Sequence, residues 1–274
     1  MARRPERERH FFLDGGGGRL HCVEHLPPPD LSNGKAVVLC RPIWGERIRT
    51  HRVFASLGRH LSGKGFSVVA CDYHGDGNSG GATLDLSFTG MVADVKRLHA
   101  YLLETHKPRG FAVVGLRAGA NCALAAAREI PGVEPVVMVE PIPDLRGDLN
   151  AGLRANLSSQ MVLHKKIVKT REVLIQEVKS GVPVNIDGFI IGKEMWESFE
   201  AASPLTADAE FGGEVIVVSL AEEKGTPSDF SRFAAGFPRG RWETIKREFV
   251  WTEWKRYVPI PAIFCAAIAE YLGA

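Results

Sequence analysis

The chain has 274 residues, of which 45% are hydrophobic and 24% charged, so its composition is that of an ordinary globular protein with a sizeable core. Its net charge of +2 is too small to indicate nucleic acid as a partner. The five cysteines are scattered without C-x-x-C spacing, which predicts reduced thiols rather than disulfides or a zinc site.

No targeting or membrane-spanning segment is predicted. The charged start of the chain is not followed by an apolar core, and no run of about 18 apolar residues occurs. No His, Asp and Glu cluster has the spacing of metal ligands. We therefore expect a cytoplasmic protein with no metal and no cofactor. Nothing in the sequence indicates an oligomeric state.

Short apolar runs alternate with helical patterns over the first 140 residues. The runs predict an opening hairpin and four buried strands, with helices between them. This alternation predicts an α/β fold with a mainly parallel central sheet and helices on both faces. The hairpin is expected at 11–13 and 19–25, the strands at 36–40, 66–71, 111–115 and 134–140, and the helices at 50–63, at 87–106 and after Gly119.

The alternation stops between about 144 and 210. That region predicts one long amphipathic helix from about 152 to 179, a short segment at 182–188 and a helix near 192–201. Such an insertion is expected to form a helical cap over the carboxyl edge of the sheet, where open α/β folds bind ligands. The expected division is a core of 1–143 and 211–274 with a cap of 144–210. In the second part of the core, strands are expected at 214–219 and 242–248, and a last helix at 261–272.

One stretch has the pattern of a nucleophile elbow. Residues 111–128 read as a strand, a glycine-flanked turn and an alanine-rich helix, with Gly115 and Gly119 on either side of Arg117. In such an elbow the central residue occupies a sharp, strained turn at the end of a strand, and small flanking residues let the strand and helix approach. An arginine stays protonated near neutral pH, so it cannot act as the nucleophile.

Three motifs together resemble the α/β-hydrolase superfamily over nearly the whole chain. They are the run from Val37 to Ile43, the Asp72-x-x-Gly-x-Gly-x-Ser79 turn and the Gly115-x-Arg117-x-Gly119 elbow. The Gly-Leu-Arg-x-Gly-Ala elbow and the segments 184–189 and 249–253 are similar to the second type of exosortase-system-associated hydrolase. That resemblance implies a role in a bacterial exopolysaccharide or protein-sorting system.

The elements of a Ser-His-acid triad are incomplete in this sequence. Glu222 follows a predicted strand at the place of the acid. All nine histidines lie within the first 164 residues, so the loop after the last predicted strand carries Glu253 where a histidine is needed. Together with Arg117 at the elbow, this predicts a pseudoenzyme rather than a serine hydrolase. His51, His74 and Asp76, with Ser79 or Cys71, have no ordered nucleophile, base and acid.

Arg117 permits two interpretations. It binds a carboxylate, phosphate or sulfate through its planar fork of donors, or it forms an internal ion pair. An acid is expected nearby in both cases, and Glu46, Glu222 and Glu253 are the candidates. Oxyanion-type donors are expected from the backbone N–H of Ala118 and of Ile43 or Trp44, and Trp251 completes the expected ligand-binding residues. The alternative for Trp44 is simple packing against the cap.

Three functions remain open at this point. The first is a capped pocket that binds a small acyl or anionic ligand or assists a partner enzyme. The second is a hydrolase or acyltransferase that acts on an ester or thioester through another set of residues. The third is a structural scaffold with a filled pocket.

The cap also carries an apolar stripe and a basic face between Met161 and Arg171. This pattern indicates a solvated cap helix or a peripheral contact with a membrane surface or an acidic partner.

Overall fold

An eight-stranded sheet forms the centre of the molecule. The structure is a computed structural model and describes residues 7–15, 17–186, 188–208, 210–221, 229–249 and 260–274. The strands of the described residues are β1 (Glu8–Leu13), β2 (Leu20–His25), β3 (Lys35–Cys40), β4 (Ser67–Cys71), β5 (Gly110–Leu116), β6 (Val133–Val139), β7 (Val184–Ile186), β8 (Phe189–Ile191), β9 (Val215–Ala221) and β10 (Gly240–Lys246). The strands of the central sheet lie in the order β1-β2-β4-β3-β5-β6-β9-β10, and β7 pairs with β8 in a separate hairpin.

Six of the eight strands run parallel to one another. The first two strands form an antiparallel hairpin, and β2 pairs antiparallel with β4. The remaining neighbours, from β4 through β3, β5, β6 and β9 to β10, are all parallel. The predicted mainly parallel sheet and the opening hairpin are therefore confirmed.

Helices cover both faces of the sheet, as predicted. The described helices are α1 (Trp44–Gly63), α2 (Phe88–Thr105), α3 (Ala118–Glu129), α4 (Leu145–His164), α5 (Arg171–Lys179), α6 (Lys193–Ala201), α7 (Asp229–Ala234) and α8 (Ala262–Tyr271). α1 and α8 pack on one face through residues such as Leu57 and Ile268, and α2 and α3 pack on the other through residues such as Leu98 and Ala123. Among the described residues, none of these helices has the length and apolar character needed to span a membrane.

The prediction for the start of α1 was wrong. The helix begins at Trp44, six residues before the predicted start at 50. Its apolar periodicity begins only at Val53, because the first turns carry the buried Gly45 and Thr50 and the polar Glu46 instead of a continuous apolar face. Sequence periodicity therefore misses the part of the helix that points toward the end of the sheet.

The predicted single helix at 152–179 is two helices. α4 ends at His164, where Lys165 takes a left-handed conformation with φ 57°, and α5 begins after Thr170. The break is stabilised by Gln160, whose side-chain oxygen accepts hydrogen bonds from the backbone N–H groups of Val168 and Lys169 at 2.7 and 2.8 Å. These helices, the β7–β8 hairpin and α6 lie in the chain between β6 and β9, while the boundaries at 144 and 210 stay predictions.

Candidate functional site

The turn between β5 and α3 has the geometry of a strained elbow. Arg117 lies between Leu116, the last residue of β5, and Ala118, the first of α3, with φ 55° and ψ −126°. Its backbone N–H donates to the carbonyl of Val139 at 3.0 Å, which ties the turn to the end of β6. A residue with a side chain at positive φ costs on the order of 1–3 kcal/mol, so the surrounding packing must impose this conformation.

Two glycines let the strand and the helix meet. A Cβ at Gly115 would lie 2.3 Å from the carbonyl oxygen of Gly119, and one at Gly119 would lie 2.2 Å from the oxygen of Cys40 and 2.5 Å from that of Arg41. All of these neighbours are backbone atoms, which cannot move aside as a flexible side chain can. The close approach expected from the sequence is therefore present, and it places Arg117 at the carboxyl ends of β3, β5 and β6.

Two carboxylates of the described residues contact the Arg117 guanidinium. Its Nε lies 3.1 Å from Glu46 Oε1, and its Nη2 lies 3.4 Å from Asp148 Oδ1. Glu46 is in the first turn of α1 and Asp148 in the first turn of α4, so one acid comes from the core and one from the segment after β6. Only 17% of the Arg117 side chain is exposed, so its charge has lost much of its hydration. The nearby carboxylates offset part of that cost.

Burial changes the proton affinity of both acids. It raises the pKa of the Glu46 carboxyl, and the charge of Arg117 opposes that rise. The pKa of Asp148 is also raised by burial, with Arg117 again acting in the opposite direction. For both groups the desolvation of the charged form is the larger effect. The two carboxyls therefore take up protons at a higher pH than exposed acids do.

A cavity of about 660 Å³ opens beside this cluster. Four of its lining residues among those described are charged, namely Glu46, Arg49, Arg117 and Asp148, and the others are apolar. Trp44 stacks on Phe199 of α6 with ring centroids 6.3 Å apart, and it lies 6.4 Å from Phe189 of β8. The cavity thus has an aromatic wall where α1 meets α6 and β8, and one polar corner in which two positive and two negative groups meet.

Two helices begin at this cavity. Trp44 and Ala118 are the first residues of α1 and α3, and both line it. The N–H groups of a first helical turn have no partner inside their own helix, and the aligned peptide dipoles make that end positive. The backbone around Trp44 and Ala118 can therefore favour an oxygen atom that carries partial negative charge.

The site residues that were predicted from the sequence, as far as the structure describes them, lie together at one cavity. Ile43, Trp44, Glu46, Arg117 and Ala118 all line the same cavity. Glu222, Trp251 and Glu253 lie outside the described residues. Their roles, and the binding role of the whole set, stay predictions.

Sequence reasoning missed Asp148, Phe189 and Phe199. All three lie in the segment between β6 and β9, which sequence patterns place near the pocket without giving its orientation. The only available signal for Asp148 was its position shortly after the end of β6, at the start of a predicted helical segment.

The glycine-rich turn after β4 contains a buried ion-pair network. Asp72 lies 3.1 Å from Arg41 and 3.4 Å from both Arg47 and His21, and its second oxygen accepts from the backbone N–H of Asn78 at 3.0 Å. Ser79 accepts a hydrogen bond from the His21 backbone and donates to the Asp72 carbonyl. These contacts fasten the turn to β2 and to the loop after β3.

The cysteine thiols have the surroundings of core residues. All five cysteines are buried and none forms a disulfide. Burial raises the pKa of the Cys71 thiol well above its ordinary value, which suppresses the nucleophilic thiolate. Within the described ranges, no group of three or more His, Cys, Asp and Glu side chains could hold a metal ion.

The strand order, the strained elbow and the segment over the carboxyl ends of the strands define an α/β hydrolase fold. A family model described as serine aminopeptidase, S33, matches residues 47–184, which is just over half of the chain. The chain belongs to this S33 family of α/β hydrolases. Membership of such a widely used fold does not by itself name a reaction.

Solved esterase structures are similar to this chain in fold. Est1E from Butyrivibrio proteoclasticus, solved with ferulic acid bound, is 14% identical with a TM-score of 0.68, covering 96% of this chain and 97% of that one. The esterase PF2001 from Pyrococcus furiosus is 14% identical with a TM-score of 0.59, covering 97% and 90%. A thioesterase domain from the curacin biosynthetic pathway is 15% identical with a TM-score of 0.57, covering 97% and 99%. No curated protein matches the sequence.

Proposed function

We propose that this protein binds a small acyl or aryl ligand under its cap without hydrolysing it by a Ser-His-acid mechanism. The observation that carries the proposal is the apolar cavity of about 660 Å³ that ends on an arginine at the elbow position. Arg117 offers no nucleophilic oxygen, and no histidine follows His164 in the sequence. In this role the protein assists a partner enzyme in an exopolysaccharide or protein-sorting system, as the sequence resemblance implies.

The polar corner of the cavity favours an uncharged acyl group over an anion at neutral pH. Glu46 and Asp148 both contact Arg117, so much of its positive charge is already compensated. An incoming carboxylate would meet Glu46 and Asp148 as well as the guanidinium groups of Arg117 and Arg49, so it would find no net positive charge there. An ester or amide carbonyl needs only a hydrogen-bond donor, and the aromatic wall of Trp44, Phe189 and Phe199 suits an apolar chain or ring.

The test is calorimetric titration with ligands that share one alkyl chain and differ in the head group. We expect binding in the order methyl ester, then carboxylate, then alkylamine at neutral pH. Replacement of Ala151 by phenylalanine places a ring at the cavity wall and should abolish binding. The matched control is Ala100→Phe on an exposed position of α2, which should bind as the wild type does. Equal binding by both variants, or no binding by the wild type, would refute the pocket.

Raised acid pKa values favour a second candidate function, a hydrolase in which a pocket carboxylate activates water. Glu46 and Asp148 lie beside the elbow, and burial raises the pKa of each. Such a shift brings a carboxylate closer to the range of a general base. Turnover of the methyl ester in the same titration, lost in Glu46→Gln or Asp148→Asn, would support this candidate over the binding role.

The pKa shifts predict that anion binding strengthens as the pH falls. Protonation of Glu46 or Asp148 removes a negative charge next to Arg117, and their raised pKa values start this change at a higher pH than for exposed acids. An alkyl sulfonate stays ionised throughout, so its own titration does not interfere. We expect its affinity to rise as the pH falls below 7.5, by on the order of tenfold once one of the two acids is protonated, as loss of one unit charge at contact distance implies.

Glu46→Gln should reproduce that gain at pH 7.5, and Glu172→Gln, at an exposed cap carboxylate, should not. The methyl ester serves as the pH-insensitive ligand. An affinity for the sulfonate that stays flat or falls on acidification would contradict the assignment of these acids.

A further inference from the structure

We propose that the end of the cap farthest from the cavity docks on an anionic lipid bilayer. This surface, the cap tip, comprises residues 161–171, from the last turn of α4 to the first residue of α5. Residues 161–170 are exposed without interruption. The proposal concerns a different surface from the cavity and is independent of the proposed function.

Half of these ten exposed residues are aliphatic. Val162 is 69% and Leu163 74% exposed, and Met161, Ile167 and Val168 are each about half exposed. Single exposed aliphatic residues are common on soluble proteins, but a contiguous group marks an interaction surface. The cap tip therefore exposes a contiguous apolar surface to water, and burial of that surface in an apolar environment would be favourable.

Positive charges lie among these aliphatic residues. No aspartate or glutamate occurs from residue 149 to 171, while Lys165, Lys166, Lys169 and Arg171 lie within the tip. Lys169 pairs with Glu177 at 2.8 Å and Arg171 with Glu172 at 3.3 Å. Lys165 and Lys166 form no ion pair with any residue that the structure describes.

The conformation of the tip is fixed by internal hydrogen bonds. Gln160 accepts from the backbone of Val168 and Lys169, and its amide nitrogen donates to the Lys169 carbonyl at 3.0 Å and to Asn156 at 2.8 Å. Thr170 caps α5 by accepting from the Val173 backbone. These bonds hold the loop in a conformation in which its aliphatic side chains are exposed.

The combination of aliphatic residues and lysines selects a lipid surface over a protein partner. Lysine is depleted from the cores of protein interfaces, which favour aromatic residues and arginine. Segments that lie on a membrane place lysines at the headgroup level and aliphatic side chains in the acyl boundary. Anionic lipids attract such lysines, while a neutral surface does not. The tip is roughly 24 Å along α4 from Asp148, so docking leaves the cavity clear.

The test is co-sedimentation of the full chain with vesicles of equal parts phosphatidylcholine and phosphatidylglycerol, compared with phosphatidylcholine alone. We expect binding to the anionic vesicles that weakens with salt. The double variants Val162→Ser/Leu163→Ser and Lys165→Glu/Lys166→Glu should each reduce it by at least about tenfold. The control Leu31→Ser/Ile263→Ser changes two exposed aliphatic residues outside the cap and should bind normally.

A second readout reports insertion directly. The five native cysteines are buried, so Leu163→Cys can be labelled selectively with an environment-sensitive fluorophore. Its emission should shift to the blue on anionic vesicles and stay unchanged on neutral ones. Binding that survives both tip variants, or no binding to anionic vesicles, would overturn the proposal. So would a lipid-free dimer that Leu163→Ser dissociates, because the surface would then contact a second copy of the chain.

Discussion

Replacement of Gly119 by alanine is expected to lower the free energy of unfolding by about 3 kcal/mol or more, at the upper end of the cost of overpacking a core. The added Cβ would lie 2.2 Å from the carbonyl oxygen of Cys40 and 2.5 Å from that of Arg41. Both oxygens belong to the backbone at the end of β3, so relief requires a shift of the sheet or of α3. Chemical denaturation followed by circular dichroism measures the change.

The matched control is Gly63→Ala at the end of α1, where an added Cβ meets no atom within 4 Å. Alanine is a better helix former than glycine, so this variant should change stability by less than about 1 kcal/mol, in the stabilising direction. Equal denaturation midpoints for the two variants would show that the elbow does not depend on the close approach at Gly119.

Asp72→Ala is expected to cost about 3–5 kcal/mol, the range found when one partner of a buried ion pair is removed. Asp72 is 3% exposed and Arg41 6%, and their charged atoms lie 3.1 Å apart. The substitution leaves the buried Arg41 guanidinium without this carboxylate, and it removes the acceptor for the Asn78 backbone. Denaturant midpoints compared with those of the wild type give the loss.

Asp229→Ala is the control for this pair. Asp229 and Arg232 lie 3.3 Å apart, but their side chains are 88% and 85% exposed. Solvent-exposed pairs contribute little, so a change below about 0.5 kcal/mol is expected. If the two aspartate variants lose similar stability, burial does not explain how much the Asp72 ion pairs contribute to the free energy of unfolding.

The middle of the sheet could be predicted because its inner strands are buried on both faces. The β3, β5 and β6 sequences are short, continuous apolar runs, and parallel sheets require this pattern. The elbow could also be predicted, since Gly115 and Gly119 reflect a local backbone contact between adjacent elements. Local structures of this kind depend on a few neighbouring residues, so they can be predicted from the sequence alone.

The contacts across the cavity could not be predicted in the same way. Asp148 meets Arg117 only because α4 crosses the carboxyl end of the sheet, which no local pattern specifies. The break between α4 and α5 depends on the Gln160 side chain, which replaces helical hydrogen bonds of Val168 and Lys169. A periodic apolar pattern continues through that break, and for this reason the sequence predicted one helix.

The guanidinium at the elbow also governs how a ligand would leave. A serine nucleophile in this place forms an ester with the acyl group, and release then requires cleavage of that ester. Arg117 forms no such bond, so in the proposed role a ligand departs unaltered. Its residence time would then follow from how long Trp44, Phe189 and Phe199 remain packed around it. In that role, the packing of these rings against the ligand would set the rate of exchange, and no covalent step would.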